Sequence, residues 1–429
     1  ADDKQDALSR WQHAADYFDQ ETDNLEHGLQ QGYSAPKRVV QRVITQLKAI
    51  TRAPAGEHPY MALAQRADDP AFAVKFQALL EKQLLPALNR YRAFLAEDYL
   101  PRAREALGIH AIPRGRECYM ALYRHYTSLQ RTPEQVYRLG LATVEGNKQT
   151  VRDLGKAIYG TDSFSAAVAA ANSDTSQTFK SPEAMHAFYV EVVERAKATT
   201  PRYFYTVPAI KLVVQPIPPH QQGSGQSAHY VPGTPERPAE FAYDPTTFAQ
   251  ENFGSAEIVS VHEGYPGHHL QIALVQGQEA FHPLQGSFWS SAYGEGWARY
   301  AEALAEEAGI YRSKSARILR RSWPARGMVA DPGMHLLGWS NKQVAEFLRA
   351  SGSPDIAQDP DKLMDRMAAI PAQLTSYDSG ALEIFALREL LQQARGDRFD
   401  LKEVHQLILQ QGSVPLSLLR QQVERAGLR

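Results

Sequence analysis

The sequence predicts a mainly α-helical chain with one small antiparallel β-sheet lying next to a broken, histidine-rich helix. Three observations carry this. Apolar residues recur at helical spacing through most of the 429 residues. Short β-branched stretches bounded by proline are confined to about residues 210–243. There is no strand–helix alternation of the βαβ kind, so no parallel sheet is expected.

Residues 5–33 and 37–52 read as amphipathic helices, with Leu8, Trp11, Ala15 and Phe18, then Val39, Val43, Ile44 and Leu47, at helical spacing. Residues 70–107 form a long helical region through Phe72, Phe76, Leu79, Leu80, Leu84 and Leu88. A Pro/Gly connector over 109–117 leads to Tyr119, Tyr123 and Tyr126, which read as core or cleft wall. Thr132-Pro133-Glu134 opens a helix running to about Gly155, with threonine as N-cap and proline in the first turn. Ser181-Pro182-Glu183 opens another, ending near Thr199. Residues 210–215, 229–231 and 240–243 are short strands, the first two joined by a Pro/Gln/Gly loop over 216–225. Such a sheet offers either an edge for an extended peptide or a structural hairpin. Ser255 is the expected N-cap of the helix that follows. Residues 310–330 are helical and basic (Arg312, Lys314, Arg317, Arg320, Arg321, Arg326), a solvated face or a clamp for a substrate carboxylate. Helices over 340–350, about 370–391 and 401–427 complete the chain. It reads as a single domain of residues 1–429, divisible into a helical lobe 1–200 and a lobe 201–429 with the sheet and the histidines.

Net charge is −2, which gives no electrostatic case for nucleic acid or an anionic membrane. The single cysteine, Cys118, excludes an intramolecular disulfide and a thiolate metal cluster. No stretch approaches the length of a membrane span. No nucleophile elbow, phosphate loop or dinucleotide-binding glycine pattern is present.

The chemistry concentrates in His262-Glu263-Gly264-Tyr265-Pro266-Gly267-His268-His269. Burying imidazoles and a carboxylate in an apolar helical segment is costly unless something pairs with them, and a divalent metal would. The familiar zinc helix is His-Glu-x-x-His, with ligands at i and i+4. Here i+4 from His262 is Pro266, which cannot ligate. On a regular helix His268 would be rotated about 120° from His262, and His269 would lie about 10.5 Å along the axis. Proline removes a helical hydrogen bond, Tyr265 before it is biased out of the α region, and the two glycines permit unusual dihedrals. A break over 264–267 would loop out two residues and bring His268 to the second ligand position, with His269 as the adjacent alternative. Glu295, in Tyr293-Gly294-Glu295-Gly296-Trp297-Ala298-Arg299-Tyr300-Ala301-Glu302, completes two histidines and one glutamate, a catalytic zinc ligand set. Glu302, seven residues further on, either orients a ligand histidine or is a solvated charge.

These motifs resemble the domain-of-unknown-function 885 family, which is grouped with the zincin metallopeptidases near the angiotensin-converting-enzyme, oligopeptidase and Taq-carboxypeptidase types. The resemblance extends to Thr132–Gly140, Asp331–His335, Gly338–Ser340 and Ser376–Gly380, and covers most of the chain. It implies a zincin-like helical cleft, one Zn2+ on His262, His268 and Glu295, and Glu263 as general base. It implies an oxyanion donor from the C-terminal half, for which Tyr377 and His335, each in a turn-like context, are the candidates. It also implies a periplasmic or secreted location and a chain lacking an N-terminal portion. The expected activity is a zinc metallopeptidase acting on short peptides. A metal-dependent hydrolase of another amide and a non-catalytic peptide-binding protein are the alternatives.

Overall fold

Contacts in the computed structural model, which describes residues 2–223, 228–234, 236–277 and 288–427, cluster into two compact units. The first is Ala1–Cys118 with Met364–Ile370, the second Tyr119–Leu363 with Pro371–Arg429. Both are helical, and no helix among the described residues is long and apolar enough to cross a membrane.

In the first unit the apolar stripes of helices Asp2–Gln30 and Lys37–Ile50 bury Leu8, Val40 and Leu47. The long helical region starts at Pro70, where the Asp69 carboxylate accepts from the N–H groups of Ala71 and Phe72. It continues to Arg102 through π-helical segments at Leu80–Leu84 and Leu95–Tyr99. Asp365, nearly buried, is held by Arg38 at 2.7 Å and by Arg42.

In the second unit helix Pro133–Tyr159 begins with a complete capping box between Thr132 and Gln135 and ends on Gly160 at φ 71°. One core joins Met185, Tyr189 and Val193 of helix Pro182–Thr199 to Phe241 and Tyr243 of the sheet. It extends to Trp297 and Tyr300 of helix Ser291–Glu307 and to Ile384 and Leu387 of helix Ser376–Arg395. The residue-200 boundary therefore runs through one continuous core. Helices 291–307 and 376–395 meet at paired glycines: a Cβ on Gly380 would lie 1.8 Å from the Ala292 carbonyl oxygen. This close approach sets Tyr377 beside the turn that carries Glu295.

The sheet is mixed, which corrects the antiparallel arrangement expected from the sequence. Strands β1 (Leu212–Pro216), β2 (His229–Val231) and β3 (Ala239–Tyr243) lie in the order β1-β3-β2. β2 and β3 form the antiparallel pair, while β1 runs parallel to β3 with Leu212 opposite Ala239. Residue periodicity encodes which face is buried, not strand direction. Residues 224–227, between β1 and β2, lie outside the described residues.

Three local expectations are also corrected. Asn252, not Ser255, caps the helix entering the histidine cluster, its Oδ1 accepting from the Ser255 N–H at 3.0 Å. Asp331-Pro332-Gly333 is the interior of helix Arg326–His335 rather than a turn. Ser376-Tyr377-Asp378 is the first turn of helix 376–395. Asp/Asn, Pro and Gly favour turns and helix ends alike, so composition does not separate these cases.

Candidate metal centre

Helix Phe253–Glu263 stops where the glycines and proline begin. The Gly264 N–H donates to Ser260 and the Gly267 N–H to Val261, so the chain folds back over the helix end. A Cβ on Gly267 would lie 2.0 Å from the His262 carbonyl oxygen, so only glycine allows the return. The Trp297 indole donates to the Pro266 carbonyl at 2.8 Å and pins the excursion to helix 291–307. A new helix, His268–Gln276, starts at once. The expected break over 264–267 is present, and it sets the His262 and His268 rings perpendicular with centroids 4.8 Å apart.

His262 Nε2 lies 3.6 Å and His268 Nε2 3.5 Å from Glu295 Oε2. All three candidate ligand atoms fall within 4.8 Å of one another. A tetrahedral ion with bonds of about 2.0–2.1 Å has ligand–ligand edges of roughly 3.3 Å, close to the two edges to Glu295. Glu295 Oε2 is buried without a hydrogen-bond partner. A buried carboxylate oxygen left unsatisfied is expensive, so the residue set fits a cation between these atoms.

His269 does not join them. It is fully buried, with Nδ1 3.2 Å from the Tyr230 hydroxyl and Nε2 3.0 Å from the Tyr265 hydroxyl. Both ring nitrogens are thus occupied in a link between the edge strand β2 and the 264–267 excursion. Burial pushes its pKa down to about 4, keeping the ring neutral.

Glu302 is buried and so is not a solvated charge. Its Oε1 lies 2.8 Å from His262 Nδ1, directing Nε2 toward Glu295. Both its oxygens accept from Arg299 Nη1, at 3.0 and 3.1 Å. The Arg299 guanidinium in turn sits 5.9 Å from the Tyr377 ring centroid. Nothing in the sequence singles out Arg299, although it stands one helical turn after Glu295.

The candidate ligands open onto a cavity of about 490 Å³ lined also by Glu263, Tyr377, His229, Tyr230, Ile272 and Trp289. His335 is not among the lining residues of this cavity. It is fully buried, its ring 5.5 Å from Tyr119, whose hydroxyl donates to Asp331 at 2.7 Å. His229 also lines the cavity, where the sequence shows only a strand. Burial raises the Glu263 pKa, against the nearby imidazoles of His262, His268 and His229, which lower it. Burial also opposes the charge on His262, but the carboxylates of Glu295, Glu302 and Glu263 outweigh it and raise its pKa to about 10. Glu295 is held well below the usual carboxylate range by His262 and His268 despite its burial.

The basic stretch over 310–330 is not one helix: it contains helix Ala316–Ser322 and the start of helix Arg326–His335, and it is neither wholly solvated nor at the cavity. Arg317, Arg320 and Arg321 converge on Glu306. Arg326 is buried and donates to the carbonyls of Ser322, Phe347 and Ala350.

A family model described as "Bacterial protein of unknown function (DUF885)" matches residues 1–423. The chain belongs to the DUF885 family. The DUF885 chain is similar in fold to two solved structures, each described as a putative lipoprotein. One, from Colwellia psychrerythraea, aligns with TM-score 0.91 at 23% identity, over 99% of this chain and 76% of that one. The other, from Shewanella oneidensis and described as of unknown function, aligns with TM-score 0.73 at 20% identity, over 97% and 77%. No curated protein matches the DUF885 sequence.

Proposed function

We propose that this DUF885 protein is a zinc-dependent metallopeptidase of zincin type that cleaves short peptides outside the cytoplasm. One observation carries the reading: two imidazoles and an unsatisfied buried carboxylate oxygen converge at a cavity that Glu263 and Tyr377 also line. His262, His268 and Glu295 would hold the Zn2+, which when bound polarises a peptide carbonyl and activates a water. Glu263 takes the proton of the attacking water and delivers it to the leaving amide nitrogen. Its raised pKa suits a group that must carry that proton between the two steps. The Tyr377 hydroxyl donates to the oxygen that gains negative charge as the carbonyl carbon becomes tetrahedral. Glu302, backed by Arg299, keeps the His262 ring in the ligating tautomer. The location rests on the family resemblance, and the lipoprotein descriptions of the two structural neighbours agree with it.

The test combines elemental analysis with peptide cleavage by the wild-type protein and Glu263→Gln. The reading expects one zinc per chain in both, and loss of cleavage in the variant alone. Cleavage only of non-peptide or modified amides would move the assignment to another metal-dependent hydrolase. No stoichiometric metal and no cleavage would leave a peptide-binding scaffold.

A further inference from the structure

The metal cavity carries an aromatic feature that the hydrolytic chemistry does not use. Trp289 lines the cavity while 51% exposed. Large rings are usually taken out of water, and a half-exposed indole at a concave site marks a surface that gains by being covered.

The ring is held in place rather than free. Its six-membered edge rests on Gly294, where a Cβ would lie 2.3 Å from Cη2 and Cζ2. The next residue, Ser290, is anchored at both ends: its N–H donates to Ser413 Oγ at 2.8 Å, and its Oγ accepts from the Tyr293 N–H at 3.4 Å. Gly294 immediately precedes the candidate ligand Glu295, and the indole centroid is 6.4 Å from that of His268. Ile272, one helical turn after His268, lines the same cavity and is half-buried. An apolar wall thus stands beside the position where a scissile bond would lie, and it is preorganised.

We infer that Trp289 and Ile272 form a side-chain subsite that selects an aromatic or branched aliphatic residue of the peptide flanking the bond to be cut. The occupant is a substrate side chain because the wall is continuous with the metal cavity. This inference rests on the metallopeptidase reading for its reaction, but its recognition step can be read separately.

The experiment uses the zinc-loaded Glu263→Gln protein and end-blocked glycine-flanked peptides that differ at one position, which is Phe, Leu, Gly, Asp or Lys. Calorimetry reads affinity without turnover. The Phe and Leu peptides are expected to bind about 10–100-fold more tightly than the Gly peptide, the usual weight of a well-packed aromatic contact. Adding Trp289→Ala should collapse that preference to within about threefold, and Trp289→Phe should retain part of it. Ile272→Ala should reduce the Leu preference, and circular dichroism checks that each variant is folded. Equal affinity across the panel, a preference unchanged by Trp289→Ala, or no binding of any peptide overturns the inference. Selective binding with no cleavage by the wild-type protein would remove the peptidase reading and leave the subsite standing.

Discussion

Oε1 of Glu302 sits 2.8 Å from Nδ1 of His262, and Glu302 is itself gripped by Arg299. One carboxylate thus fixes a candidate ligand ring and neutralises a buried guanidinium. Its removal has two separable effects. Glu302→Gln keeps the volume and is expected to weaken zinc binding about 10–100-fold, read by competition with a chelating dye. Glu302→Ala strips Arg299 of its hydrogen-bonded carboxylate and should also lower unfolding stability by about 3–5 kcal/mol in denaturant titration.

The two adjacent histidines should behave oppositely. His268→Ala is expected to abolish stoichiometric zinc, since it removes one of three candidate ligands. His269→Gln should retain one zinc per chain but lose stability by about 1–3 kcal/mol, because the hydroxyls of Tyr230 and Tyr265 lose their shared partner. Zinc lost from His269→Gln and kept in His268→Ala would reverse the assignment.

Asp331 gives a pH dependence away from the metal centre. Burial raises its pKa to about 7, although the Tyr119 hydroxyl and the Ala372 N–H both donate to Oδ1. Unfolded aspartate titrates at about 3.9. The folded state therefore holds the proton more tightly, and the contribution to stability is full below about pH 3.9 and lost as pH rises through about 7. Asp331→Asn mimics the protonated side chain. It should be more stable than wild type at pH 8 by a margin on the order of 2–4 kcal/mol, and the margin should vanish near pH 4. Parallel denaturant titrations at the two pH values measure this; a margin independent of pH would rule it out.

The glycine contact between helices 291–307 and 376–395 should not tolerate a methyl group. Gly380→Ala would drive a Cβ to within 1.8 Å of the Ala292 carbonyl oxygen and push the helices apart. A loss of about 1–3 kcal/mol is expected, with weaker peptide cleavage as Tyr377 moves from the Glu295 turn. Thermal melts and kinetics on the same preparation check both halves.

The helical class, the capped start of helix 133–159, the three strands and the break at Gly264–Gly267 were all legible along the chain. Each of these is local: a spacing, a cap or a residue that cannot continue a helix. The sequence also placed His262, His268 and Glu295 in one candidate set, because ligand chemistry leaves a residue-type signature. Other features arise only when the chain packs. The direction of β1, the occupation of both His269 nitrogens, the withdrawal of His335 into the core and the grip of Arg299 on Glu302 all depend on residues distant in sequence. Such contacts are set by which buried polar atoms find partners once the helices pack, and no spacing along the chain encodes that.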